Sequence, residues 1–142
     1  MPNVGMNAPG PGIDEYESPP WLFKALDGEF GFTFDAAASE QNRLCKRWTD
    51  DVLRAAIDPT DRIFCNPPYS LIPIFVDKAL ASPNLWVMLL PVRTDSEWFR
   101  KLSESERVAF RFFRKRICFN LPGGTLTSSP RFASMIAIIR SR

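Results

Sequence analysis

The run Leu85-Trp86-Val87-Met88-Leu89-Leu90, closed on either side by Pro83 and Pro91, constrains this chain more than any other segment. Successive side chains of a strand point to opposite faces, so an uninterrupted apolar strand has to be covered on both sides. The surrounding sequence supplies helices for that purpose. Residues 71–81 read as one, with Phe75, Val76, Ala79 and Leu80 inward, and Asp95 or Ser96 caps another that runs through Leu102. Pro19 and Pro20 open a third, ending near Leu26 or Asp27, with Ser18 as its N-cap and Trp21, Leu22 and Leu26 on its packed face. Further β-type runs occupy residues 30–34, which stop at Asp35, and residues 63–65, 108–112, 117–119 and 135–139. Residues 39–60 are polar and irregular, and no full strand is placed there. Strands alternate with helices in the middle and dominate the end. The expected fold is therefore α/β, a mostly parallel sheet closed by an antiparallel C-terminal strand pair.

At 142 residues the chain suits one domain, expected over residues 14–142 behind a flexible arm, 1–13, rich in Pro, Gly and Asn. Hydrophobic residues make up 45% and charged residues 24%, which excludes wholesale disorder. The charge is asymmetric: residues 1–92 hold 7 Lys/Arg and 12 Asp/Glu, residues 93–142 hold 11 and 4. A basic last third suits either a polyanion or plain solvation. With no His in the chain, zinc sites and Ser-His-Asp catalysis are set aside, and no metal is expected. Cys45, Cys65 and Cys118 form no paired motif and read as buried free thiols in a reducing compartment. No signal peptide or membrane span is visible, so a cytoplasmic protein is expected.

The sharpest chemical feature is Asn66-Pro67-Pro68-Tyr69, directly after the strand at 63–65. Two consecutive prolines end a central strand, and the loop that follows lies at the carboxyl edge, where α/β sheets bind ligands. The prolines fix φ and remove donors, so the loop is stiff and presents acceptors. The Asn66 side-chain oxygen and the Pro67 carbonyl can accept both hydrogens of an aromatic amine and draw its lone pair out of the ring. Tyr69 offers a flat face for a base. A second piece is Asp35 with Ala36-Ala37-Ala38, a carboxylate for a cationic amino group beside small residues. A third is Glu17-Ser18-Pro19-Pro20, a hydroxyl and backbone amides at a helix start, suited to a carboxylate. Each piece alone has a plainer reading: a Pro-rich turn, a turn-forming Asp and an ordinary N-cap.

Together these segments resemble the phage-type DNA N6-adenine methyltransferases. Asp14-Glu15-Tyr16-Glu17-Ser18-Pro19-Pro20-Trp21-Leu22-Phe23 resembles that family's opening motif. Residues 32–38, with Asn42 and Cys45 behind them, resemble its first cofactor strand, and Asn66-Pro67-Pro68-Tyr69-Ser70 its catalytic loop. Residues 89–95, Trp98-Phe99 and residues 111–119 resemble its later segments. The resemblance implies a shortened Rossmann-like methyltransferase fold, S-adenosylmethionine as donor and DNA as partner. It implies that Asn66, Pro67 and Tyr69 hold a flipped adenine, with Pro68 shaping the loop. Ser18 and Pro19, Asp35 with Ala36 and Ala37, Asp50 or Asp51, and Asn66 would surround the cofactor. Ser18 stands where the family has threonine, and the Ala triplet replaces a glycine-rich turn. Arg93, Arg114, Lys115 and Arg116 are the candidates for DNA contacts. Methylation of protein glutamine or RNA amino groups, and a catalytically inactive nucleic-acid-binding relative, stand as alternatives.

Overall fold

The computed structural model describes Asp14, residues 16–119 and residues 132–142. The arm expected at 1–13 and the Gly123-Gly124 and Ser128-Ser129-Pro130 turns lie outside the described residues. The elements run α1 (Pro20–Phe30), β1 (Phe34–Asp35), β2 (Arg47–Trp48), β3 (Arg62–Cys65), α2 (Ile72–Ala81), β4 (Leu85–Pro91), α3 (Glu97–Ser103), β5 (Val108–Phe112) and β6 (Ser134–Ile139). A single 3-10 turn, Tyr69–Leu71, precedes α2. Among the described residues the sheet has six strands, in the order β2-β1-β3-β4-β6-β5. The pairings from β2 through β4 are parallel, and β6 is antiparallel to both β4 and β5.

β4 behaves as its sequence predicts. Trp86, Met88 and Leu90 face one cluster together with Phe75, Val76 and Ala79 of α2 and Leu102 of α3. Val87 and Leu89 face the other, with Leu22 and Leu26 of α1 and the isolated side chains Ile117, Phe119 and Phe132. Each of the Val, Leu, Ile, Met and Phe side chains among them gains roughly 1.5–3 kcal/mol on leaving water. Ser96 caps α3, accepting the Phe99 N–H at 3.2 Å.

Five expectations change. First, α1 runs a turn further than Asp27, to Phe30. Gly31 adopts the left-handed conformation, φ 66°, and donates its N–H to the Asp27 carbonyl at 2.8 Å, while the Asp27 carboxylate takes the Phe32 N–H. The first strand is thereby cut from residues 30–34 to Phe34–Asp35. Second, Ser18 does not cap α1: Pro19 holds that position with no side-chain bond, and Trp21 is exposed rather than packed. Third, Arg47–Trp48 forms a strand inside the irregular segment. Parallel pairing with β1 makes it, and a two-residue strand has no period to read. Fourth, residues 117–119 form no strand, although Ile117 and Phe119 are buried. Fifth, Cys118 is exposed, whereas Cys45 and Cys65 are buried thiols.

Arg107 joins the ends of several elements. Its guanidinium donates to the carbonyls of Arg140 at 2.8 Å, Leu80 at 3.1 Å, Ser82 at 2.8 Å and Asn84 at 3.4 Å. It thus satisfies carbonyls at the C-terminal end of α2, the entry to β4 and the exit of β6. Arg107→Ala should lower unfolding free energy by about 2 kcal/mol, and Arg107→Lys should recover less than half, because an ammonium cannot span a fork of carbonyls. Urea denaturation checks both values.

Candidate active site

β1 pairs with β2 on one side and β3 on the other, both parallel, so the strand order reverses at β1. Ligands of open α/β sheets bind beyond the carboxyl ends of the strands at such a reversal. Asp35, the last residue of β1, pairs in register with Phe64 of β3, and Asn66 lies two residues further on. A cavity of about 530 Å³ opens there, lined by both Asp35 and Asn66. Ser18, Ala37, Asp50, Asp51 and Pro68 also line it.

The Asn66 amide has a determined orientation. Its nitrogen donates to the Tyr16 carbonyl at 2.7 Å and to Ser18 Oγ at 3.0 Å. A backbone carbonyl only accepts, so the amide nitrogen, not the oxygen, must face it. Both amide hydrogens are spent, and Oδ1 remains as the acceptor. Pro68 gives its carbonyl to the Leu71 N–H at 2.9 Å. The Pro67 carbonyl has no donor among the described residues.

A family model described as DNA N-6-adenine-methyltransferase (Dam) matches residues 5–141. The chain belongs to this family. A DNA N-6-adenine-methyltransferase of Escherichia phage T1 is 32% identical to it over 108 residues, which are 71% of this chain and 45% of that relative. The chain spans less than half the length of the curated relative it matches.

In this Dam-family chain the segment before α1 acts as a strap across the Asn66-Pro67-Pro68-Tyr69 loop. Asp14 accepts the Ser70 N–H and O–H on its carboxylate, each at 2.7 Å, and the Tyr69 N–H on its carbonyl at 3.0 Å. Tyr16 and Ser18 take the Asn66 amide. Tyr16 acts through its backbone carbonyl and Asp14 through both carbonyl and carboxylate, so the anchoring roles of these two residues leave no side-chain pattern in the sequence. The Tyr69 ring is half-buried, 5.5 Å from Tyr16 and edge-on to Phe132 at 5.2 Å. Burial pushes its hydroxyl well above the usual tyrosine range, so the phenol stays neutral.

Asp35 is 3% exposed, and its carboxylate accepts the N–H groups of Ala37 at 3.3 Å and Leu44 at 3.1 Å. Desolvation outweighs those two bonds and pushes its pKa up to about 6. Burial beside Asp35 likewise lifts the Cys45 thiol to about 12. Leu44 reaches Asp35 through a turn in which Ser39 and Asn42 bond reciprocally, at 2.7 and 3.3 Å. Asp50 and Asp51 are exposed at the cavity mouth, as are the apolar side chains of Leu53, Leu71 and Ile74, which sequence reading did not single out.

The other expected site residues lie elsewhere. Ala36 and Pro67 are buried, and neither they nor Tyr69 is among the residues that line the cavity beside Asp35. Pro19 borders a second groove, with Arg114, Lys115 and Arg116. Arg93 lines neither; its guanidinium pairs with Asp95 at 3.3 Å.

A carboxyl that holds its proton up to about pH 6 when folded, but only to 3.8 when unfolded, makes the folded state the greater proton binder between those values. Stability from this group is therefore lost as pH rises from 3.8 to 6. Asp35→Asn removes that dependence. The unfolding free energy of the variant minus that of the native chain should rise by about 3 kcal/mol between pH 3.5 and pH 7, read from denaturation at each pH.

Proposed function

We propose that this chain transfers a methyl group from S-adenosylmethionine to the N6 amine of adenine in DNA, on a shortened Rossmann-like methyltransferase domain spanning residues 14–142, in the cytoplasm of a bacterial or phage-infected cell. The observation that carries the proposal is the cavity between a buried carboxylate, Asp35, and an asparagine whose amide hydrogens are both spent. Dam-family membership argues for DNA adenine over protein glutamine or RNA amino groups.

The lining fits the donor. Asp35 suits its ammonium, Ser18 its carboxylate, Asp50 or Asp51 a ribose hydroxyl, and Ala37 leaves room beside the backbone. The apolar side chains Leu53, Leu71 and Ile74 suit its purine ring. Bound there, the sulfonium supplies an activated methyl.

The chain's own residues do the rest. Asn66 Oδ1 and the Pro67 carbonyl accept the two amine hydrogens of an extruded adenine, which localises the nitrogen lone pair for attack. Extrusion costs a few kcal/mol, and Tyr69 offsets part of it by stacking. Arg114 and Lys115 meet phosphates. The strap keeps the Asn66 oxygen turned to the substrate, so the acceptor need not reorganise.

Incubation with labelled donor and separate pools of DNA, RNA and protein tests the proposal. Label should enter DNA alone and reside on adenine N6; label confined to protein overturns it. Asn66→Ala should cut methylation at least ~100-fold while costing no more than about 2 kcal/mol of stability. Near-native turnover in that folded variant refutes the role of the amide.

Donor affinity should depend on pH with a definite sign. The ammonium pairs with an ionised Asp35, so binding releases the proton that the empty site holds below about pH 6. Calorimetry should show Kd flat above pH 7 and rising toward tenfold per unit below pH 6. An unchanged Kd at pH 5 removes Asp35 from the ammonium site.

A further inference from the structure

Trp21 is the second residue of α1 and is 60% exposed. Leu22 and Leu26 of the same helix are buried, so the indole stands off the packed face. It borders the second groove, about 710 Å³, which is also lined by the segment 113–118. That segment carries the exposed cations Arg114, Lys115 and Arg116. Arg114 and Lys115 have no acidic partner among the described residues.

The groove is held in place beside the catalytic cavity. Pro20 lines both, so the two open next to each other. Arg111 of β5 forms a forked pair with Glu29 of α1 at 2.6 and 2.5 Å, and its guanidinium sits 5.6 Å over the Phe30 ring. This pair ties α1 to β5 just ahead of the basic bend.

An exposed indole in one groove with Arg114 and Lys115 matches a nucleotide: a flat base for the ring and a phosphate for the charges. An apolar protein side chain would leave those cations without counter-charge. We infer that this groove takes one nucleotide of the DNA strand neighbouring the extruded adenine, with its base stacked on Trp21 and its phosphate against Arg114 and Lys115. The inference rests on the DNA-methyltransferase reading and adds a positioning role for Trp21.

The test compares the native chain with Trp21→Ala and Trp21→Phe on a duplex that the native chain methylates. Trp21→Ala should raise KM for the duplex about tenfold, with kcat changed less than twofold, and Trp21→Phe should recover most of the loss. Replacing one flanking nucleotide at a time by an abasic residue should identify one position at which the native KM also rises and Trp21→Ala adds nothing further. Tryptophan fluorescence with a 12-residue oligothymidine gives a readout free of catalysis: quenching in the native chain, lost in Trp21→Phe. Unchanged KM and unchanged quenching in an active enzyme overturn the inference alone. So does a fall in sedimentation mass in Trp21→Ala with KM intact, which would make the indole a self-association contact. A native chain that methylates no DNA but shows Trp21-dependent quenching overturns the enzymatic reading and keeps the groove. No methylation and no quenching overturn both.

Discussion

The side-chain amide of Asn66 donates to two oxygens fifty and forty-eight residues earlier in the chain, and the site takes its geometry from that pair of bonds. A free asparagine amide can turn over and present nitrogen or oxygen with little cost. Here one partner is a carbonyl, which leaves a single orientation with the oxygen outward. The loop supplies stiffness through Pro67 and Pro68, the sheet supplies position at the end of β3, and the strap from Asp14 to Ser18 supplies orientation. Remove any one and the direction of the Asn66 amide is no longer fixed. Pairing the half-buried amide with these partners also satisfies the strap's own polar groups, so the arrangement is stabilising.

Asp35 shows the opposite balance. The fold buries a carboxylate with two backbone donors where more would be needed to hold it ionised, and its pKa rises accordingly. Such a group destabilises the empty protein near neutral pH. The deficit has a function if a cation completes the set, because the binding energy of that cation is then concentrated at one point. The adjoining thiols take no part: Cys45 and Cys65 are driven to the neutral form by the same burial.

The parts of the fold legible in the sequence were those set by apolar periodicity over several residues. β3, α2, β4, α3, β5 and β6 all carry such patterns, and their bounds match expectation to within one residue. The end of α1 was misplaced because a glycine C-cap and the Asp27 bonds extend it, not the helical stripe. β2 was invisible because Arg47 and Trp48 are a strand only in the presence of β1. In the site, the Asn-Pro-Pro-Tyr loop and the strand-ending aspartate were legible, since each is a local device at a strand terminus. Ser18 was read as a cap when its hydroxyl instead receives the Asn66 amide, and Trp21 was read as core when it lines a groove.

By itself the sequence determined a sheet covered on both faces, a rigid turn at the carboxyl end of one of its strands and a basic last third. Those follow from proline's fixed φ, from side-chain alternation and from composition, all properties of neighbouring residues. Only the tertiary structure decided which atom of Asn66 is tied to the strap, how far Asp35 is desolvated and which side of α1 meets solvent. Each of these depends on groups dozens of residues away, and no local pattern specifies the partners that folding brings to one place.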